Sequence, residues 1–407
     1  MSLFTLTLTL LSGCMMVGPD YQQPKTQIAD EWNIANHGVE NSPTQDAQWW
    51  KTFNDPILDQ LITIGYHNNL SLQSAGVRVL QARAQLAQSV GELYPQQQGI
   101  SSSLTRQRIA SGSEFADVIP SNLETSSMSF SASWEPDFWG KYRRAIAADN
   151  ATFLSSIAAY DDALVSLTAE IGSAYVAIRL YEMQITLSEK SILLQKQHMN
   201  IKKTQYTAGQ INLSDLEQAA MQLHQTEANL PTLKASLQQE KDALAVLIGS
   251  TPDKIDALIK TKQHTIPKAP TKIAVDIPKN ILRQRPDVHQ AELEAIAQSE
   301  GIGAIKAQLY PAFALNGSFG YGASNSDSSS ATDLFQWSNR TYSIGPSVSI
   351  PLFNYGQITN QVRAQDAAFQ QAIFNYQQVV LNAQKRSARW HNKLHRITKN
   401  ITIHDSR

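Results

Sequence analysis

Few residues of this 407-residue chain have the spacing that catalysis or metal binding requires. His391 and His395 lie four positions apart, as two ligands on one helix face would, but no cysteine or carboxylate nearby completes a metal site. Gly301-Ile302-Gly303 lies in a helix-like run without a preceding strand, which argues against a dinucleotide-binding loop. No GKS/T phosphate loop is present, so ATP is not expected to drive the chain. We therefore expect no catalytic residue, metal or cofactor, and a function that depends on shape.

Cys14 is the only cysteine, and a nucleophilic thiol beside small residues can be acylated. The apolar stretch before it is short, which is typical of an export signal and not of a transmembrane helix. Leu11-Ser12-Gly13-Cys14 resembles a bacterial lipobox, and the following Met15 resembles lipoproteins sent to the outer membrane. We predict a signal peptide at 1–13, a lipid anchor of the palmitate type on Cys14 and a lipidated N-terminal arm at 14–55. The alternative is an ordinary buried cysteine.

The composition excludes several classes of protein. Lys and Arg total 34 and Asp and Glu total 35, so the formal charge is -1 and no nucleic-acid partner is expected. Charged residues make up only 17%, but 42% hydrophobic residues are too many for a disordered chain. One cysteine cannot form a disulfide framework. No apolar run approaches the roughly 20 residues of a membrane-spanning helix, so membrane contact would use strands, lipid or partners.

The chain contains an internal duplication, the first feature to look for in a long sequence. Leu93-Tyr94-Pro95 recurs as Leu309-Tyr310-Pro311, 216 positions later. Gly140 recurs as Gly356 at the same offset. Two landmarks at one offset indicate two copies of one unit. The predicted domains after the arm are repeat 1 at 56–248, an equatorial segment at 249–280, repeat 2 at 281–384 and a divergent basic tail at 385–407.

The interval between these landmarks has the same pattern in both repeats: strand, polar loop, strand. Serine alternates with apolar residues over 127–134, and 343–350 keeps that phase except at Pro346. Alternation is typical of a membrane barrel wall, with lipid on one face and water on the other, although a soluble β-sandwich also alternates. The predicted strands are 96–108, 125–135, 311–322 and 340–351, of which the first has the weakest pattern. The residues expected in the barrel wall are Met128, Phe130, Trp134, Phe313, Leu315, Phe319, Ile344, Val348 and Ile350.

Four strands are too few to close a barrel. An open edge cannot lie in lipid, because its N–H and C=O groups would lack partners. The smallest outer-membrane barrels have about eight strands. Several chains must therefore share one barrel if the membrane interpretation holds. A trimer with twelve strands is the natural candidate, although the arithmetic also permits a dimer.

Very long helices follow the first pair of strands. No proline interrupts 141–204, and its apolar residues recur at alternating spacings of four and three, which indicates a coiled-coil seam. At about 1.5 Å per residue, such a helix reaches on the order of 95 Å. Gly209 is the expected C-cap, and Asn212 or Ser214 the expected N-cap of a return helix that Pro231 kinks. We predict an antiparallel hairpin over 141–248; the alternative is a soluble helical bundle.

These motifs together resemble the outer-membrane factor family, the TolC-like channels, and specifically its OprM/NodT-type lipoproteins of RND efflux systems. The resemblance implies a mainly α fold with β. In that fold, three copies form a twelve-stranded β-barrel in the outer membrane, continued by a periplasmic α-barrel. The segments that carry the resemblance are Leu11–Cys14, Trp50–Asp59, Asn69–Leu70, Ala132–Gly140, Ala208–Gly209, Arg283–Asp287 and Gly345–Gly356.

The resemblance also implies a function. The chain would be a passive exit duct for drugs or other small molecules in a tripartite efflux system, and not an enzyme. Its partners would be two further copies, a periplasmic adaptor, an inner-membrane RND pump and outer-membrane lipid. It would be anchored in the outer membrane with its helices in the periplasm. The tip residues expected to contact the adaptor are Thr207, Ala208, Gly209, Gln210, Asn212, Ser214 and Asp215.

The last part of the chain departs from this pattern. Residues 385–407 carry seven Lys or Arg and a single acid, Asp405. Gly209 displaced by 216 positions predicts a second helical tip near position 425, beyond the last residue. We therefore expect the second hairpin to lack its return helix and the trimer to assemble poorly.

Three other functions stay open at this point. A periplasmic coiled-coil adaptor or scaffold lipoprotein would need no pore, but the serine-alternating strands argue against it. A protein-secretion outlet of the same fold would carry polypeptides, and the lipobox argues against that by resemblance. A truncated, non-functional remnant of an efflux channel would account for the divergent tail.

Overall fold

A computed structural model of the protein describes residues 16–24, 39–41, 48–108, 110, 112, 121–260, 265–267, 273–275, 282, 284–325 and 330–405. The predicted signal peptide and Cys14 lie outside the described residues. In the last helix, side chains are described up to 387 and at 389, so the side chains of His391 and His395 are not.

Long helices alternate with two pairs of strands. In chain order the elements are β1 (Val39–Asn41), α1 (Pro56–Asn68), α2 (Leu70–Gly91), β2 (Gln97–Arg108), β3 (Asn122–Trp134), α3 (Lys141–Thr207), α4 (Leu213–Leu247), α5 (Pro252–Leu258), β4 (Ile273–Val275), α6 (Pro286–Lys306), β5 (Ala312–Ser324), β6 (Arg340–Ser349) and α7 (Gln357–Asp405). This mainly helical fold with a duplicated pair of strands is the predicted one.

One compact unit comprises Met1–Thr26, Leu80–Ser155 and Gln290–Val379. It contains an antiparallel sheet in the order β2-β3-β5-β6, so each repeat contributes one hairpin and the β3–β5 pair joins the repeats. β2 pairs with β3 over its full length, although its sequence pattern is weak.

The N-terminal segment of this unit packs against the starts of its helices. Val17 donates its backbone N–H to the carbonyl of Trp139 at 3.0 Å. Arg144 is 3% exposed and forms ion pairs with Glu300 at 2.7 Å and Asp20 at 2.9 Å. A buried guanidinium needs such partners, because an unpaired charge would be costly to remove from water. These contacts fix the first turn of α3, where the chain leaves the sheet.

The second unit comprises Gln27–Val79, Ser156–His289 and Val380–Arg407. β1 and β4 pair in parallel within it. Its apolar core collects residues of α1, α2, α3, α4 and α5, and α5 lies inside the predicted equatorial segment 249–280. The fully buried members include Leu58, Leu61, Ile171, Tyr175, Ile178, Leu244, Ile248 and Ile255.

The predicted coiled-coil seam of α3 faces inward. Leu167, Ile171, Ala174 and Ile178 are buried, and the other seam positions are at least half-buried. By length and composition one 18-residue window of α3 is apolar enough to cross a membrane, but 44% of it is buried inside the chain. The helix contains no uninterrupted apolar run of that length, because charged residues such as Asp162, Glu170 and Arg179 lie along it. α4 runs through Pro231 as one helix.

A buried polar cluster lies beside this core. Arg179 is 1% exposed, and it donates to Tyr175 Oη at 3.2 Å, to Glu182 at 2.7 Å and to the carbonyl of Ile259 at 2.7 Å. Tyr175 donates to Asp55 at 2.8 Å. Burial, and secondarily the Asp55 carboxylate, raise the pKa of Tyr175 to about 12, against the influence of Arg179. The cluster ties α3 to the start of α1, because Asp55 also caps that helix.

The last helix, α7, continues without a break through the predicted boundary at 385. Arg386, the second residue of the predicted basic tail, lies 3.8 Å from the carboxylate of Asp287. Arg285 forms the shorter pair with the same carboxylate, at 2.7 Å. The described start of the tail is thus regular helix with an ion-pair partner.

Candidate functional site

One face of the four-stranded sheet is apolar over its central rows, and the charged residues Arg106, Glu124 and Arg340 lie at one end of that face. Phe130 of β3 lies opposite Phe319 of β5, which lies opposite Tyr342 of β6. Neighbouring rows repeat this arrangement, since the side-chain period of a strand is two residues. These side chains stay exposed in the single chain, Ile344 by 78%. The predicted wall residues on this face are Met128, Phe130, Trp134, Phe313, Leu315, Phe319, Ile344 and Val348.

The prediction that Ile350, the ninth wall residue, lies in a strand was wrong. β6 ends at Ser349, which pairs with Ala312, the first residue of β5. Pro351 follows Ile350, and a proline has no N–H to donate and restricts the residue before it. Ile350 therefore lies one position beyond the strand as the structure has it, and is 56% exposed.

The opposite face of the sheet is polar and uncharged. Hydroxyl pairs cross the strands between Ser103 and Ser127 at 2.8 Å and between Ser318 and Ser343 at 3.0 Å. Asn316 joins three strands, because it accepts from Ser133 at 2.7 Å and donates to Ser347 at 2.8 Å. Small side chains that bond to each other leave this face flat. The sheet thus has the two-sided character of a barrel wall, one face for lipid and one for water.

The bonds that centre on Asn316 were missed in the sequence. The serines stand out by their alternation, whereas an asparagine in a strand has no comparable signal. Its partners become visible only once the register places Asn316 opposite Ser133 and Gly345.

Aromatic side chains mark the junction of the sheet with the helices. Trp139 stacks on Tyr310 with ring centroids 4.9 Å apart and donates from Nε1 to the carbonyl of Pro311 at 2.8 Å. Phe138 meets Phe313 edge-to-face at 5.3 Å. A cavity of about 430 Å³ lies beside these rings. The motif around Trp139 is visible in the sequence, but its partners are not, because they lie in the other repeat.

The predicted tip between α3 and α4 is an exposed turn with both helix ends capped. Gly209 has φ +70°, the left-handed conformation that terminates a helix. Gln210 donates its N–H to the carbonyl of Gln205 at 2.9 Å, and Asn212 Oδ1 accepts from the N–H of Asp215 at 2.9 Å. The tip residues Thr207, Ala208, Gly209, Gln210, Asn212 and Ser214 are exposed, and Asp215 is half-buried. Asn212, and not Ser214, is therefore the N-cap.

The other candidate chemistry is not assembled into a site. Gly301 and Gly303 lie inside α6, as their sequence context predicts. Among the described residues, no group of three or more His, Cys, Asp or Glu side chains could hold a metal ion.

Comparison with known proteins agrees with this geometry. Residues 65–250 and 277–403 match the model of the family described as outer membrane efflux protein. The chain is 27% identical over 381 residues to the probable outer membrane lipoprotein SilC of Salmonella typhimurium, covering 93% of this chain and 79% of that protein. It is 27% identical over 382 residues to the cation efflux system protein CusC of Escherichia coli K12, covering 93% and 80%.

Solved structures show the same fold. The structure of the outer-membrane channel OprN superposes with a TM-score of 0.84 at 26% identity, over 95% of this chain and 84% of that one. A crystal structure of CusC gives a TM-score of 0.82 at 25% identity, over 96% and 85%. Nothing in these matches supports a scaffold without a pore. The chain belongs to the outer membrane efflux protein family and is an outer-membrane efflux channel component with the TolC-like fold.

Proposed function

We propose that three copies of this chain form a passive exit duct through the outer membrane. The observation that carries the proposal is the two-faced sheet, apolar on one side and lined by hydrogen-bonded hydroxyl and amide groups on the other. The apolar face, which includes Phe130 and Phe319, meets lipid, and the face that carries Ser103 and Asn316 lines water. Conduction through such a wall needs no catalytic group, and the chain that we propose is a duct and not an enzyme.

Three copies supply twelve strands, which removes all sheet edges from the lipid. Two copies would supply eight, the lower limit for a membrane barrel. A duct favours three, because an eight-stranded barrel is only wide enough for its own side chains or one small ligand, whereas twelve strands leave a wider lumen. A homotrimer is therefore the assembly that we propose.

The partners that we propose are a periplasmic adaptor and an inner-membrane RND pump. The turn at 207–215 would contact the adaptor, since it is exposed and its backbone is fixed by caps at both ends. Cys14 would carry the lipid anchor, and residues 14–55 would form the lipidated arm. Residues 249–280 would form the equatorial segment in the middle of the chain. The helices would lie in the periplasm.

The duct itself is proposed to be unselective toward small molecules. Relatives are named for cation efflux and for antibiotic efflux. The polar face of the sheet here carries neutral hydroxyl and amide groups, which bind neither class strongly. Selection of a drug or other small molecule would then rest with the pump.

Planar lipid bilayers test the duct without knowledge of its substrate. Purified protein should insert in steps and give an ohmic conductance that is the same for small cations and small anions within a few-fold. Protein that binds the bilayer without conductance would contradict the proposal.

Photo-crosslinking residues test the adaptor contact. They are introduced at Gln210 and, as a control, at Leu187 on the exposed side of α3. Only Gln210 should capture the adaptor that is co-expressed with the chain.

A further inference from the structure

The cavity of about 430 Å³ lies at the end of the sheet where the strands meet their helices. Residues of three connections line it, those from β3 to α3, from α6 to β5 and from β6 to α7. All of them belong to one compact unit, so a single chain forms the cavity. Its volume lies in the range of about 300–1,000 Å³ that is typical of small-molecule sites.

Asp137 supplies the observation that points to a ligand. Its side chain is 5% exposed and belongs to the wall of this cavity. Asp137 Oδ2 accepts from the backbone N–H of Arg143 at 2.9 Å and from Arg143 Nε at 3.1 Å. Asp137 Oδ1 has no hydrogen-bond partner among the described residues. A buried carboxylate oxygen without a donor is costly, so a donor from outside the chain would stabilise this wall.

The other charged residues of the wall are already paired. Lys141 donates to both carboxylate oxygens of Glu135, at 3.2 and 3.1 Å, and its side chain is 36% exposed. The negative charges of Glu135 and Asp137 are thus balanced by the positive charges of Lys141 and Arg143. A neutral wall of this kind fits a ligand that carries one positive and one negative group. The positive group would reach Asp137 Oδ1, and the negative group would be attracted by Lys141.

Aromatic rings form the apolar part of the same wall. Phe138 and Phe313 meet edge-to-face at 5.3 Å, and Phe313 also belongs to the apolar face of the sheet. Trp139 and Tyr310 stack beside them. Tryptophan and tyrosine are enriched where a membrane meets water. The cavity therefore lies where the face that we assign to lipid ends and charged groups begin.

We propose that this cavity binds the headgroup of a zwitterionic phospholipid, whose primary ammonium group donates to Asp137 Oδ1 and whose phosphate lies near Lys141. Phosphatidylethanolamine has this chemistry, with three N–H donors beside one phosphate. Its acyl chains would continue along Phe313 and the apolar face. That continuity favours a lipid over a soluble ammonium ion. The inference rests on the proposed position of the sheet in the outer membrane.

Native mass spectrometry of the purified full chain tests the site. Delipidated protein in detergent is titrated with phosphatidylethanolamine, phosphatidylcholine and phosphatidylglycerol that have identical acyl chains. Phosphatidylethanolamine should bind about ten-fold more tightly than the other two lipids. The quaternary ammonium of phosphatidylcholine has no N–H to donate, and phosphatidylglycerol has no ammonium group. Equal affinities for the three lipids would overturn the inference.

Asp137→Asn tests the acceptor with little change in shape. The amide oxygen can still accept from Arg143, but an NH₂ group, which is a donor, then replaces the free carboxylate oxygen. The affinity for phosphatidylethanolamine should fall about ten-fold, and that for phosphatidylglycerol should not change. The matched control is Glu124→Gln, which removes a carboxylate at the opposite end of β3 and should change neither affinity. Equal binding of phosphatidylethanolamine by Asp137→Asn and the unaltered chain would overturn the inference.

A second variant keeps the test independent of the Arg143 ion pair. Ala312→Leu fills the cavity from β5 without changing a charge, and should also weaken binding of phosphatidylethanolamine. Unchanged binding would place the lipid elsewhere and overturn the inference. Circular dichroism confirms that each variant is folded.

Two further measurements separate the lipid from other sources and from the duct. Glycerophosphoethanolamine has the same headgroup without acyl chains and should bind far more weakly. Affinity equal to that of the lipid would assign the cavity to soluble ammonium ions and overturn the lipid proposal. Lipid binding that depends on Asp137 in protein without conductance would keep this site and reject the duct. Conductance without that dependence would do the reverse.

Discussion

Trp139 joins the two repeats of this chain, because its ring stacks on Tyr310 at 4.9 Å and its Nε1 donates to the carbonyl of Pro311 at 2.8 Å. Trp139 precedes the long helix α3, and Pro311 precedes β5. The contact therefore fixes the angle at which helix and strand meet.

We predict that Trp139→Ala destabilises the folded chain by about 2–3 kcal/mol, somewhat less than the loss of a fully buried tryptophan. Trp139→Phe keeps the stacking and loses one hydrogen bond, and should cost about 1 kcal/mol. Urea denaturation of detergent-solubilised protein, followed by tryptophan fluorescence and circular dichroism, measures both. Equal losses for the two variants would mean that stacking contributes nothing.

Tyr355 and Tyr94 lie 216 positions from Trp139 and Tyr310, and both are exposed in the single chain. If they meet between copies of the proposed trimer as their counterparts meet within the chain, Tyr355→Ala and Tyr94→Ala each weaken contact between copies and leave the stability of the single chain unchanged. An aromatic pair contributes about 0.5–1.5 kcal/mol beyond its buried area. The double variant should therefore lose less than the sum of the two single losses. Dissociation of the copies on heating measures the effect, and Tyr66→Ala, another exposed tyrosine, is the control. Strictly additive losses would place the two rings apart.

The assignment of the two sheet faces predicts opposite outcomes for adjacent residues. Phe130→Lys puts a charge on the face assigned to lipid and should cost about 2–4 kcal/mol near the bilayer midplane. Ser131→Lys puts the same charge on the face assigned to water and should leave the folded fraction nearly unchanged. The yield of heat-modifiable protein in outer membranes measures both. A larger loss for Ser131→Lys would reverse the faces.

Two carboxylates of the helical unit should respond to pH in opposite ways. Burial, and then the charge of Asp287, raise the pKa of Asp162. Burial would also raise the pKa of Asp287, but the hydrogen bond and charge of Arg285 outweigh it, so that this pKa is lowered.

Because its pKa is raised in the folded state, Asp162 takes up a proton at a higher pH in the folded chain than in the unfolded chain. Its charged form therefore lowers the free energy of unfolding above the folded pKa. A lowered pKa means that Asp287 adds stability above its unfolded pKa, near 3.9, and loses it on acidification through its folded pKa. At pH 7, Asp162→Asn should stabilise the fold and Asp287→Asn should destabilise it. Denaturation curves at pH 7 and pH 4 measure both, and the difference between the two variants should shrink at pH 4.

The caps at the helical tip predict a local effect. Gly209→Ala forces a Cβ into a left-handed conformation, which costs about 1 kcal/mol although no atom blocks the position. Asn212→Ala removes the N-cap and also costs about 1 kcal/mol. Hydrogen exchange at 205–215 should speed up by about five-fold in each variant, and exchange in the β3–β5 pair should not change. Faster exchange in the sheet would show that the tip is not an independent element.

Much of this fold could be predicted from the sequence, because strong periodic patterns of apolar and polar residues indicate its long helices and its strands. The seam residues Ile171 and Ile178 and the alternating serines before Trp134 indicate helix and strand without reference to distant residues. Contacts between the repeats were out of reach, since nothing local places Trp139 beside Tyr310. The roles of Cys14 and of the tip stay predictions.

The number of copies in the closed barrel tests the central claim most directly. Exhaustive chemical cross-linking of the assembled protein in outer membranes, followed by mass measurement under denaturing conditions, counts the chains of 45.0 kDa in each complex. Our account predicts that the products end at three chains, with no larger species. A series that ends at two chains, or one that continues without limit, would contradict a twelve-stranded barrel built from three copies.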